Sequence, residues 1–207
     1  MGLILKNPLI WLAFYAVVLL WSVWQPHDGF TWWMEATPAL IAVPLLLWCR
    51  RVFPLTPLLS LLILLHCCVL FVGAHYTYAQ VPLFDWLSDW FGWGRNNYDK
   101  LGHFAQGFIP AMIAREVLLR KQVLQRGAWC SFLCCCFALA LSAFYELVEW
   151  WVAVLTNDGA EAFLGTQGYV WDTQSDMLFA LIGAICAVLT LSATHDRQLA
   201  KLLIPQR

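Results

Sequence analysis

Charge is what this chain has least of. Asp, Glu, Lys and Arg make up 12% of its 207 residues, where a soluble domain carries about a quarter. That scarcity excludes an ordinary soluble fold. The formal net charge is −1, so there is no basic excess to attract nucleic acid. No small-x-small motif precedes Trp21, so the first apolar run reads as a retained span and not a cleaved signal. Lys6 stands where a myristoylation signal after Gly2 wants Ser or Thr, which excludes that lipid anchor. There is no repeat of about 20–50 residues, and the two halves differ in polarity, which argues against an inverted-repeat transporter. None of the eight cysteines falls in an extracytoplasmic loop where an oxidising compartment would pair it. Cys134, Cys135 and Cys136 fan out by about 100° per residue on a helix and do not converge on one ion. They read as small packing residues.

What is present is apolar. Hydrophobic residues reach 61%, and thirteen tryptophans suit the membrane–water boundary. Six runs have the length, or nearly so, to cross a hydrocarbon core of about 30 Å as helices: roughly 8–24, 32–48, 55–74, 101–119, 128–155 and 172–194. The expected fold is all-α, one transmembrane domain over 1–207, built as a six-helix bundle. Ten of the twelve bases lie on one side of these spans, and only Arg95 and Lys100 lie on the other. The positive-inside rule therefore places both termini in the cytoplasm. Between the third and fourth spans, about 84–93, Trp86, Trp90 and Trp93 recur at i, i+4, i+7. This predicts a short amphipathic helix lying in the outer interface, an anchor or a lid.

The acids concentrate in the last three spans. Asp99 and His103, Glu146 and Glu149, and Asp172 and Asp176 are pairs three or four residues apart, so each pair shares one helix face. The topology brings them, with His75, to the outer side, with Glu146 and Glu149 about two turns or more inside the outer end of the fifth span. Ionisable groups at that depth read as a functional site by default. Unpaired carboxylates in low dielectric must take a proton, find a cation or bind a metal. Imidazole with several carboxylates suits Zn, Mn or Fe. The expected metal ligands are His103, Glu149, Asp172 and Asp176, with His75 as a further one. Glu146 is expected as a general base or bridging ligand, and Asp99 as the residue that orients His103. A bland reading stands beside each: Asp99 and Lys100 as markers of the water boundary, Asp172 as a helix N-cap. His66 reads as packing, His27 and His195 as loop residues, Asp28 and Glu35 as boundary acids.

The segments Asp-Lys-Leu-Gly-His-Phe (99–104), Tyr-Glu-Leu-Val-Glu-Trp (145–150) and Trp-Asp-Thr-Gln-Ser-Asp-Met (171–177) resemble the bacterial YjdF-type inner-membrane proteins. The first segment is also similar to VanZ-like membrane proteins, some of them linked to glycopeptide resistance. The resemblance implies a multi-pass protein of the inner membrane in which Asp99, His103, Glu146, Glu149, Asp172 and Asp176 matter. It implies no substrate. Three functions stay open: a metal-dependent enzyme acting on a lipid or lipid-linked envelope substrate, a proton- or cation-coupled carrier, and a non-catalytic membrane or lipid-binding protein. The expected partners are membrane lipids, with no nucleic acid.

Overall fold

The computed structural model describes residues 8–156 and 167–203. Gly2, Lys6 and Arg207 lie outside them. The described residues form seven α-helices and no strand. They are α1 (Pro8–Val23), α2 (Gly29–Cys49), α3 (Pro57–His75), α4 (Pro82–Phe91), α5 (Tyr98–Arg120), α6 (Ala128–Thr156) and α7 (Asp172–Leu203). Four of them, α2, α3, α6 and α7, are long and apolar enough to cross a membrane. At 16 residues α1 is shorter. At 23 residues α5 has the length, but its ends carry Asp99, Lys100, Arg115, Glu116 and Arg120.

Local chemistry sets the ends. The Asp28 carboxylate caps α2 by accepting from the Thr31 amide at 2.7 Å. That bond holds its carboxyl below the usual Asp range. Thr56 caps α3, with Pro57 supplying a preset first turn. Gly92 ends α4 in the left-handed region at φ +66°. Pro38, Pro44 and Pro110 lie inside helices without ending them, as membrane helices tolerate when neighbours cover the freed carbonyls.

The long helices alternate in direction. Trp11 reaches the Ser60 carbonyl and Ser22 the Phe71 carbonyl, so α1 runs with α3. Tyr15 meets Ala39, and Ser22 meets Trp32, so α2 runs against α1. Thr56 bonds Glu116 while Tyr98 bonds the Val69 carbonyl, so α5 runs against α3. The pair α5 and α7 is parallel and the most extensive contact in the bundle. There Gly107 lies against the Ala180 carbonyl and Gly183 against the Phe104 carbonyl, so close that a Cβ on either glycine would overlap backbone. Small residues let membrane helices approach in this way. A bonding partner for Leu58 is Gln198, so the last turns of α7 lie beside the first turn of α3.

The predicted runs match these helices to within a few residues, with one exception. The sixth run was expected to end near 194, and α7 continues to Leu203. His195 is therefore no loop residue; it is a fully buried helical side chain. A second correction concerns Glu35, which sits inside α2, 6% exposed, and not at a water boundary.

Candidate functional site

The site forms where the first turns of α5 and α7 meet the middle of α6. His103, one turn below Asp99 on α5, is its centre. Its Nε2 lies 3.3 Å from Asp99 Oδ1, 3.7 Å from Glu146 Oε1 and 3.9 Å from Asp176 Oδ1. On the other side of the ring, Nδ1–H donates to Gln106 Oε1 at 2.9 Å. That bond leaves Nε2 as the nitrogen that faces the carboxylates, an N–H donor to Asp99 when the ring is protonated and a lone-pair ligand for an ion when it is not. Two sets of ligand atoms lie within 4.8 Å of one another: Asp99, His103 and Asp176, and His103, Glu146 and Glu149. Two ligands about 2.1 Å from one tetrahedral ion stand about 3.4 Å apart, so the separations around Nε2 need little closing.

The cations are as telling as the acids. Lys100 Nζ donates to Asp172 Oδ1 and Asp176 Oδ1, each at 2.6 Å, and lies 3.7 Å from Asp99 Oδ2. Arg95 donates to the same Asp172 oxygen at 2.8 Å. Lys100 is no marker of the water boundary; it is buried and ties α5 to α7. The Tyr145 hydroxyl donates to Glu35 Oε2 at 3.1 Å, which brings a sixth acid to the cluster. The electrostatic neighbours of Glu35 are Asp99, His103 and Glu146. Six carboxyl groups thus face two permanent cations and one imidazole. Among the described residues Glu146 Oε1 is buried with no hydrogen-bond partner, the kind of exception that calls for an explanation.

The site borders the protein surface through the loop ahead of α5. Asn96 and Gln167 exchange reciprocal backbone–side-chain bonds of 3.0 and 2.9 Å, which staple the loops preceding α5 and α7 together. Asn96 also donates to Asp85 at 2.7 Å, fastening α4. A polar hollow of about 520 Å³ lies here, lined by Asp85, Ser88, Asp89, Arg95, Asn96 and Gln167 among others. As expected, α4 is amphipathic, burying Ser88 while leaving Trp86 57% and Trp90 71% exposed; Trp93, expected on the same stripe, lies beyond the Gly92 cap.

Of the seven residues singled out in the sequence, five gather around Nε2 or in the ligand sets: Asp99, His103, Glu146, Glu149 and Asp176. Asp172 adjoins them, but its printed partners are Arg95 and Lys100, and it belongs to neither ligand set. Asp172 is itself the first residue of α7, and its Oδ1 accepts from Arg95 and Lys100. His75 does not join them. It ends α3 with Nδ1 2.9 Å from the Ser22 carbonyl and its ring stacked on Trp21 at 4.6 Å, in a separate hollow with Leu20, Trp24 and Gln25. Asp99 meets His103 on its Nε2 side, among the candidate ligands, while Gln106 holds the opposite nitrogen. Sequence reasoning missed Gln106, Lys100 and Glu35 as parts of the site. The signal for Glu35 was there: Trp32, Glu35, Ala36 and Ala39 form a buried stripe at helical spacing.

Helices of this length and apolarity around a buried polar cluster define a multi-pass helical membrane protein. Residues 7–197 match the family model described as a predicted membrane protein (DUF2238), and the chain belongs to that family. It is 51% identical over 185 residues to the inner membrane protein YjdF of Escherichia coli strain K12, covering 89% of this chain and 88% of that protein. The bacterial inner membrane is accordingly its location. No solved structure matches it.

Proposed function

We propose that α1, α2, α3, α5, α6 and α7 all cross the inner membrane with both termini in the cytoplasm. The carboxylate–histidine cluster then lies at the periplasmic side, holds a divalent cation (Zn, Mn or Fe), and serves a metal-dependent enzyme acting on a lipid or lipid-linked envelope substrate. The alternating directions of α1, α2, α3 and α5, and ten of the twelve bases on one side of the predicted spans, support the topology. The observation that carries the metal is the setting of His103: Gln106 holds its Nδ1, its Nε2 is turned toward carboxylates of three helices, and among the described residues the adjacent Glu146 Oε1 has no hydrogen-bond partner. His103, Asp99, Asp176, Glu146 and Glu149 are the ligand candidates. An ion there would polarise a phosphoryl or carbonyl oxygen and lower the pKa of a bound water. Glu146 is the acid placed to take a proton from that water. Lys100 and Arg95 hold Asp172 and Asp176 in position, and Arg95 also lines the outer hollow through which a headgroup would approach.

The carrier reading gains no such support. Between this cluster and the opposite end, α5 and α7 are in backbone contact at Gly107 and Gly183. Below that contact Ala111, Met112 and Ala184 are fully buried, so the seam between α5 and α7 is apolar there. The test is headgroup or phosphate release from labelled phospholipid and polyprenyl-linked phosphate in proteoliposomes, with chelator and with restored Mn or Zn. Release that needs the ion, and that Glu146→Gln abolishes, is the expected result. Full metal occupancy with no turnover of either substrate class would remove the enzymatic reading.

A further inference from the structure

A second hollow lies at the other end of the bundle. It has a volume of about 640 Å³ and is bounded by the first turns of α1 and α3, the last turns of α2 and α5, and the segment 50–56. Its floor is apolar, with Trp11, Leu12, Leu46 and Leu59 among its lining. Two bases, Arg50 and Lys121, stand in its wall, and both are solvent-facing. Among the described residues neither is paired with an acid; Lys121 has only the Phe53 ring, 5.8 Å away. Their neighbour Arg120 is already used, bonding Glu116 and the Pro54 carbonyl and lying 3.6 Å over the Phe53 ring. Bases left unneutralised beside an apolar recess, at the end of the bundle where bases collect, complement one kind of molecule. It must carry an anionic head and a long hydrocarbon tail.

We infer that the recess between α1, α2, α3 and α5 is a binding site for an acidic glycerophospholipid, its acyl chain lying against Trp11, Leu46 and Leu59 and its phosphate between Arg50 and Lys121. The volume falls in the range of ordinary ligand sites. Pro54 and Pro57 hold the wall in a fixed path. The site is independent of what the carboxylate cluster binds, since it shares no residue with it.

The experiment is native mass spectrometry of the protein in detergent with added phosphatidylglycerol or phosphatidylcholine, counting retained lipid. The wild type is expected to retain phosphatidylglycerol preferentially. Joint Arg50→Gln and Lys121→Gln exchange should lower that retention by more than tenfold, at roughly fivefold per base, and leave phosphatidylcholine unchanged. Leu47→Trp, filling the recess from its exposed side, should lower it as well. Arg51→Gln removes an exposed base at the same end that does not line the recess, and should change little. Equal retention of the two lipids by the wild type would overturn the inference. So would a loss on Arg51→Gln as large as that of Arg50→Gln alone, because the effect would then be general surface charge.

Discussion

The helices α5 and α7 carry a buried polar cluster at each end, and the two clusters are solved differently. At the basic end the buried charges of Glu116 and Arg115 each have partners. Glu116, fully buried, accepts from Thr56 Oγ1 at 2.6 Å, from His195 Nε2 at 3.0 Å and from Arg120 at 3.0 Å. Arg115 donates to Asp196 at 2.8 Å and sits 2.7 Å from the other nitrogen of His195. Bases equal or outnumber acids there. At the other end six acids crowd two permanent cations, and among the described residues Glu146 Oε1 has no hydrogen-bond partner. The same residue types at similar spacing therefore make a closed network in one place and a charge surplus in the other. A closed network fixes α3, α5 and α7 relative to one another. A surplus stores an affinity for something positive, at a cost to stability.

That contrast can be broken by mutation. The largest effect is expected for Glu116→Ala. It strips His195, Arg120 and Thr56 of their shared acceptor and should cost about 3–5 kcal/mol, as removing one member of a buried ion pair does, read as a lowered midpoint of unfolding in detergent. Gly183→Ala follows, at about 1–3 kcal/mol, because its new methyl must displace the Phe104 backbone that joins both clusters. Asp28→Ala, which uncaps α2 near the site, should cost about 1 kcal/mol at neutral pH. The Asp28 pKa is lowered in the folded state, so the cap is fully effective above the ordinary Asp range. It weakens as pH falls through the lowered value, and the gap between wild type and variant should close below about pH 4. The smallest effect belongs to Glu149→Ala in chelator: within about 1 kcal/mol of wild type, and at or above it, because it relieves repulsion and breaks no pair. A loss as large as that of Glu116→Ala would mean that the two clusters are alike and both structural.

Much of this was legible in the sequence. Apolar length located the helices, and spacing within a helix placed Asp99 with His103 and Glu146 with Glu149 on common faces. What spacing does not carry is which face meets which. His75 has the right depth but the wrong direction, toward Trp21 and Ser22. Lys100 follows Asp99 as boundary residues do, yet its long stem carries the ammonium across to α7. His195 and Asp196 read as a polar end to the sixth span because their partners, Glu116 and Arg115, lie about 80 residues away in sequence. The residues that set the approach of α5 to α7, Gly107 and Gly183, contribute by lacking a side chain, and composition alone is silent on that.

The most direct test of the charge surplus is the metal content of protein purified in mild detergent, wild type beside His103→Ala and Glu149→Ala. About one tightly held divalent ion per chain in the wild type, released in both variants while their helix content is unchanged, is the predicted result. A wild-type protein without stoichiometric metal after incubation with Zn, Mn and Fe, or a His103→Ala protein that keeps its full complement, would contradict it.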